Sequence, residues 1–219
     1  MVSSSLVKKS VLFSLFVQIT AGIIQLYGLF LKLHKKDEIL KSILALETVV
    51  QFIEAIFYTW LVYGLYNLKD VTSRRYYDWM LTTPTMLLAT IIYFKYLENG
   101  EFTFFEFLKN NDTNILKIFG YNWLMLLFGY LGEIKKITLS TGVPIGFVFF
   151  GLSFYEIYKY ASTPEAIQLF YFLLFVWSLY GVAAVLSTNA KNLMYNLLDI
   201  LSKNFYGLFI FYKILQVAK

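Results

Sequence analysis

From Asn192 to Val217 the chain reads NLMYNLLDILSKNFYGLFIFYKILQV, and the fold turns on how that stretch is read. Leu, Ile, Phe and Tyr dominate it, and it exceeds the roughly 20 residues that a helix needs to cross the hydrocarbon layer of a bilayer. Yet Asp199 and Lys203 stand well inside it. Four residues apart, they share one face of a helix and can pair. A lysine this deep cannot reach either surface. It is either held as a buried ion pair with Asp199 or converted to a Schiff base with an aldehyde, a reaction that suits an amine desolvated by burial. A protonated Schiff base needs a buried counter-anion, and Asp199 and Asp78 are the two available.

The rest of the chain has the same character. Of 219 residues 58% are hydrophobic and only 15% charged, too few to coat a water-soluble globule of this size. Seven apolar runs cover residues 11–31, 39–67, 76–97, 115–132, 137–160, 165–187 and 192–217. Open strand edges cannot be satisfied in hydrocarbon, so the runs must be helices. The expected fold class is an all-α membrane protein, a seven-transmembrane-helix bundle forming one domain over residues 1–219. The first run follows Lys8 and Lys9 but is longer than a signal-peptide core and lacks a small-x-small cleavage site near Ala21 and Gly22, so it reads as a span. The long connection from Glu101 to Asn114, rich in Phe at 102, 104, 105 and 107, is expected to lie on the membrane surface.

An odd number of spans separates the termini. The distribution of Lys and Arg favours, narrowly, an extracellular N-terminus and a cytoplasmic C-terminus. The net charge of +5 comes from basic residues at the ends of runs, such as the segment from Lys69 to Arg75. They read as interface anchors and not as a nucleic-acid surface. With no cysteine there are no disulfides, thiolate metal sites or cysteine nucleophiles, and neither a metal site nor an enzyme is expected.

Ionisable groups within spans are functional candidates because burying a charge in lipid is costly. Besides Asp78, Asp199 and Lys203 these are Glu47 and Glu54. Glu47, Gln51, Glu54 and Tyr58 follow at steps of four, three and four, one stripe of the second helix. With Ser14 and Gln18 on the first helix and Asn204 beside Lys203, they can line a wet cation path, since rows of carboxylates favour cations. The alternative is a set of interhelical hydrogen bonds or an oligomer interface.

Several segments resemble the microbial (type 1) rhodopsins. Residues 75–84 read RYYDWMLTTP, similar to that family's counterion segment, and Asp199-x-x-x-Lys203 resembles its retinal attachment site. Met125-x-x-x-Gly129, Ser140-Thr141 and Trp177-x-x-Tyr180 are similar in type and order to retinal-pocket residues, so five of the seven helices take part. The resemblance implies all-trans retinal bound covalently to Lys203, with Asp78 and Asp199 as counterions and Arg75 one turn outward. It also implies a pocket of Trp79, Thr82, Thr83, Met125, Gly129, Ser140, Thr141, Trp177 and Tyr180. Four positions depart from the pattern. Ala89 stands where proton pumps carry an internal donor acid, the loop from Ser187 to Asn192 offers no release carboxylate, and Gly181 and Ala184 replace a proline and a tryptophan.

Short loops and acids on the second helix look most like the compact giant-virus rhodopsins. Arg75, Glu47, Gln51, Glu54, Ser14 and Asn204 are the expected ion pathway. The favoured function is a light-gated cation channel acting on protons and monovalent cations across the lipid bilayer. An outward proton pump is the alternative, disfavoured by the missing donor. A sensory rhodopsin with a separate transducer chain and a retinal-free transporter complete the set. Homo-oligomers, common in the family, stay open.

Overall fold

The computed structural model describes residues 2–64, 71–99 and 101–219, and among these the helices form seven rods. The first six are α1 (Ser4–Gly28), α2 (Ile39–Tyr63), α3 (Val71–Asn99), α4 (Phe104–Glu133), α5 (Leu139–Tyr158) and α6 (Pro164–Ala184). The seventh is continuous: α7 (Thr188–Asp199), a π-helical segment Ile200–Asn204, and α8 (Phe205–Val217). The protein is an all-helical membrane bundle. Among the described residues α1, α3, α4, α5 and α6 are long and apolar enough to cross a membrane on length and composition. α2 carries Glu47 and Glu54, α3 carries Asp78, and the seventh rod carries Asp199 and Lys203, all on faces turned into the bundle. Large apolar side chains such as Phe16, Phe30, Ile56 and Leu116 point outward, where lipid is their solvent.

Two boundaries differ from those read in the sequence. α4 begins at Phe104, so residues 104–114 are the first turns of a long helix and not a surface-lying connection. The cause is local: the Thr103 hydroxyl accepts from the Glu106 N–H at 3.2 Å while Glu106 accepts from the Thr103 N–H at 3.1 Å, a reciprocal cap that starts the helix eleven residues before the apolar run. Phe107 is buried in the core, whereas Phe105 faces outward. α3 begins at Val71, so Arg74 and Arg75 lie within it. Arg75 is wholly buried and ion-paired, and Lys191 is buried against Glu133 at 2.8 Å, so neither is an interface anchor. The C-terminal end assigned to the second span, residues 65–67, and Lys69 lie outside the described residues.

Without a hydrophobic drive between helices in lipid, close packing depends on small residues. At Gly142 of α5 a Cβ atom would sit 2.7 Å from the Phe128 carbonyl oxygen of α4, a backbone atom that cannot step aside. Gly142→Ala is therefore expected to destabilise the bundle by about 1–3 kcal/mol. The check is the thermal denaturation midpoint in one detergent; an unchanged midpoint would show that α4 and α5 separate freely.

Candidate functional site

The π-helical segment sets the site. There the Phe205 N–H reaches back five residues to the Ile200 carbonyl, so the seventh rod is locally widened at Lys203. Asp199, Ser202, Lys203 and Asn204 are all buried in consequence, facing α1, α2, α3 and α6 at once.

Lys203 Nζ lies at the meeting point of three carboxylates. It donates to Asp78 Oδ2 of α3 at 3.1 Å, stands 3.4 Å from Asp199 Oδ1 one turn back, and is bonded directly to Glu54 of α2. The spacing that puts Asp199 and Lys203 on one face thus does bring them together, with Asp78 as the third member. Glu54, assigned from its stripe to the ion pathway, contacts the lysine as well as Gln18.

Asp199 is the best-satisfied acid. Its Oδ2 accepts from the Tyr58 hydroxyl at 2.7 Å and from Arg75 Nη1 at 3.0 Å, and its Oδ1 accepts from the Tyr180 hydroxyl at 2.9 Å. Arg75 also bonds Asn196, and Tyr58 reaches the same Asn196 oxygen at 3.2 Å. Asp199 is therefore a fixed anion held by three donors, a strong charge-assisted arrangement.

From Lys203 and Ser202 a cavity leads away between α3, α4, α5 and α6. It encloses about 760 Å³ of atom-free space, part of it open to the surface. Trp79, Thr83, Met125, Gly129, Trp177 and Tyr180 line it, as the resemblance implied. Gly181 and Ala184 line it too, and the Phe147 ring occupies the space beside Gly181, where a Cβ would lie 2.5 Å from it. Three assigned pocket residues are elsewhere. Ser140 and Thr141 are exposed at the first turn of α5, with their hydroxyls on Thr138, because α5 enters the cavity wall only from Gly142 onward. Thr82 is buried but turns its hydroxyl back to the Asp78 carbonyl at 3.1 Å.

Other members escaped notice in the sequence. Asn122 of α4 donates to the Thr83 hydroxyl at 2.7 Å, tying α3 to α4 beside the cavity, and Ser202 pairs with Tyr180 at 2.7 Å. A single Asn within the apolar run 115–132 was the available signal for the first; a serine beside a lysine offers none.

The assigned pathway residues form a buried polar file. Ser14 donates to the Asn196 carbonyl at 3.1 Å, Asn204 donates to Gln18 at 2.8 Å and to Gln51 at 2.7 Å, and Gln18 points to Glu54 at 3.5 Å. Glu47 lies two turns along α2 from Glu54, wholly buried, and neither of its oxygens has a hydrogen-bond partner among the described residues. Beyond Glu47 the file ends in an apolar layer that includes Leu40, Ile43, Leu44, Ile210 and Ile214, all buried.

The seven-rod bundle thus holds one lysine among three carboxylates, with a mostly apolar cavity at its amine. The chain belongs to the bacteriorhodopsin-like protein family, whose sequence profile matches residues 9–217. It is thus an integral membrane protein of a retinal-binding family that transports ions in response to light. Among solved structures it is similar to viral rhodopsin OLPVRII, with 29% identity and a TM-score of 0.86 over 97% of this chain and 99% of that one. It is similar in fold to Exiguobacterium sibiricum rhodopsin, at 18% identity and a TM-score of 0.77 over the whole of both chains. Xanthorhodopsin, described as a light-driven ion pump with dual chromophore, shares 16% identity at a TM-score of 0.76, over 96% of this chain and 92% of that one. Among curated proteins none matches this chain.

Proposed function

We propose that this protein carries all-trans retinal on Lys203 and uses light to move protons outward across the membrane, with the N-terminus outside. The fit of the site supports this reading: the amine opens into a long cavity walled by Trp79, Trp177 and Met125, and wholly buried carboxylates stand at its root. Retinal, joined through a protonated Schiff base, would supply the light-driven change of geometry. The chain's own groups then divide the proton work. Asp78, whose Oδ1 has no partner among the described residues, is the acceptor, with its Oδ2 3.1 Å from Nζ. Asp199 stays ionised under its three donors and steadies the positive charge.

The observation that carries the proposal is Glu47. Ala89 is no donor, but α2 carries a wholly buried carboxyl of its own, Glu47, about 10 Å along the helix from Glu54. A carboxyl group this dry, with no partner, is most stable neutral, which is the state a proton donor must hold. Between Glu47 and Lys203 lie Gln51, Asn204 and Gln18, bonded to one another and, through Gln18, to Glu54. The apolar layer beyond Glu47 separates the donor from the cytoplasm. A proton can cross such a layer on a transient water chain, whereas a hydrated cation needs it opened.

A second reading, the light-gated cation channel, is favoured by the polar file itself, which runs along α1, α2 and the seventh rod as a pore lining would. Voltage-clamped photocurrents in defined salts decide. The expected current is outward at every voltage and indifferent to exchange of sodium for potassium. A current that reverses with voltage and follows the sodium or potassium gradient would establish the channel and overturn the pump.

A further inference from the structure

We propose that Glu54 belongs to the counterion group as a third carboxyl, holding a proton that it shares with Asp78 when Lys203 carries its chromophore. This rests on retinal being bound at Lys203.

The argument is a count of donors. As a free ammonium, Lys203 Nζ has three N–H groups, and three carboxylates are arranged around it: Glu54, Asp78 and Asp199. Bonded to a chromophore, the nitrogen keeps one. Asp199 scarcely feels the change, because Tyr58, Tyr180 and Arg75 still donate to it. Glu54 and Asp78 have little else. Asp78 Oδ1 has no partner among the described residues, its Oδ2 has only Lys203, and Glu54 has beyond the lysine only the Gln18 amide at 3.5 Å. Two carboxylates would then compete for a single N–H in a site where Glu54 is 0% and Asp78 6% exposed.

The charge count points the same way. Arg75 and Lys203 are two cations facing three carboxylates, and among the described residues no other charged side chain is bonded to the cluster. A net negative charge enclosed in hydrocarbon is costly, and two adjacent acids that cannot both ionise share one proton. Glu54 and Asp78 are both bonded to the one Lys203 nitrogen, which holds their carboxyl groups next to each other. A proton on Glu54 therefore gives Asp78 the donor it lacks and neutralises the cluster. It also leaves Asp78 as the one free carboxylate able to receive the proton from Lys203, which explains how an acid in direct contact with the lysine need not be the acceptor.

The test is infrared spectroscopy of the retinal-loaded protein in the dark, with glutamate carrying carbon-13 at its carboxyl. The expected result is a carbonyl stretch of a neutral carboxylic acid that moves with the glutamate label, remains in Glu47→Gln and is lost in Glu54→Gln. A neutral-acid spectrum unchanged by Glu54→Gln, in protein that still has its visible band, would overturn the proposal. Should Glu54→Gln fail to fold, Glu47→Gln alone decides: no label-sensitive neutral-acid band left there means that Glu54 is ionised. Absence of a visible band from the unmodified protein with retinal is a different failure, since it removes the retinal reading and this inference with it.

Discussion

Asp78→Asn is expected to move the absorption maximum of the retinal-loaded protein to longer wavelength and to cut light-driven proton flux by about a hundredfold or more. The first effect follows from removing a negative charge 3.1 Å from Lys203 Nζ, so that less charge holds the positive end of the chromophore in place. The second follows because no neighbour can take over as acceptor. Asp199 is occupied by Arg75, Tyr58 and Tyr180, and Glu54 already holds a proton. Flash spectroscopy and a pH-sensitive dye read both effects on the same sample. A variant with an unshifted band and full flux would place the acceptor elsewhere.

Glu47→Gln is expected to slow the return of the proton to Lys203 by about a hundredfold, with little change in absorption maximum. The side chain is wholly buried two turns along α2 from Glu54, and an amide in place of a neutral acid leaves the ground-state charges as they were. What goes is the reservoir on the cytoplasmic side of the polar file. Without it, reprotonation depends on water crossing the layer of Leu40, Ile43, Leu44 and Ile214. A small permeant weak acid such as azide should restore the rate, because it carries a proton where the amide cannot. A recovery equally fast in variant and parent, with or without azide, would remove Glu47 from the proton path.

The charges legible in the sequence were those that lipid makes costly. Lys203, Asp78 and Asp199 could be picked out because each is an exception within an apolar run, and the structure brings all three within bonding distance. Glu54 stood out for the same reason, but its partner depended on how α2 is rotated against the seventh rod. Helical periodicity gives the face of a helix and not what that face meets. Ser140 and Thr141 were misplaced by a related gap, since the depth of α5 relative to the cavity is set by the tight approach at Gly142. The α4 boundary was readable in principle, because Thr103 and Glu106 form a cap signature. The polar residues from Lys109 to Asn114 interrupt the apolar pattern, so hydropathy alone starts the helix after them. The π-helical turn was not readable, as nothing in the sequence from Ile200 to Asn204 demands it.

The central claim is that Lys203 is the residue joined to retinal. Incubating the protein with all-trans retinal, reducing the linkage with borohydride, and weighing the proteolytic peptides by mass spectrometry tests it directly. The account predicts one retinyl adduct, on the peptide containing Lys203, at the same stoichiometry as the visible band that reduction bleaches. A retinyl adduct on another lysine, or a bleached band with the Lys203 peptide at its unmodified mass, would contradict it.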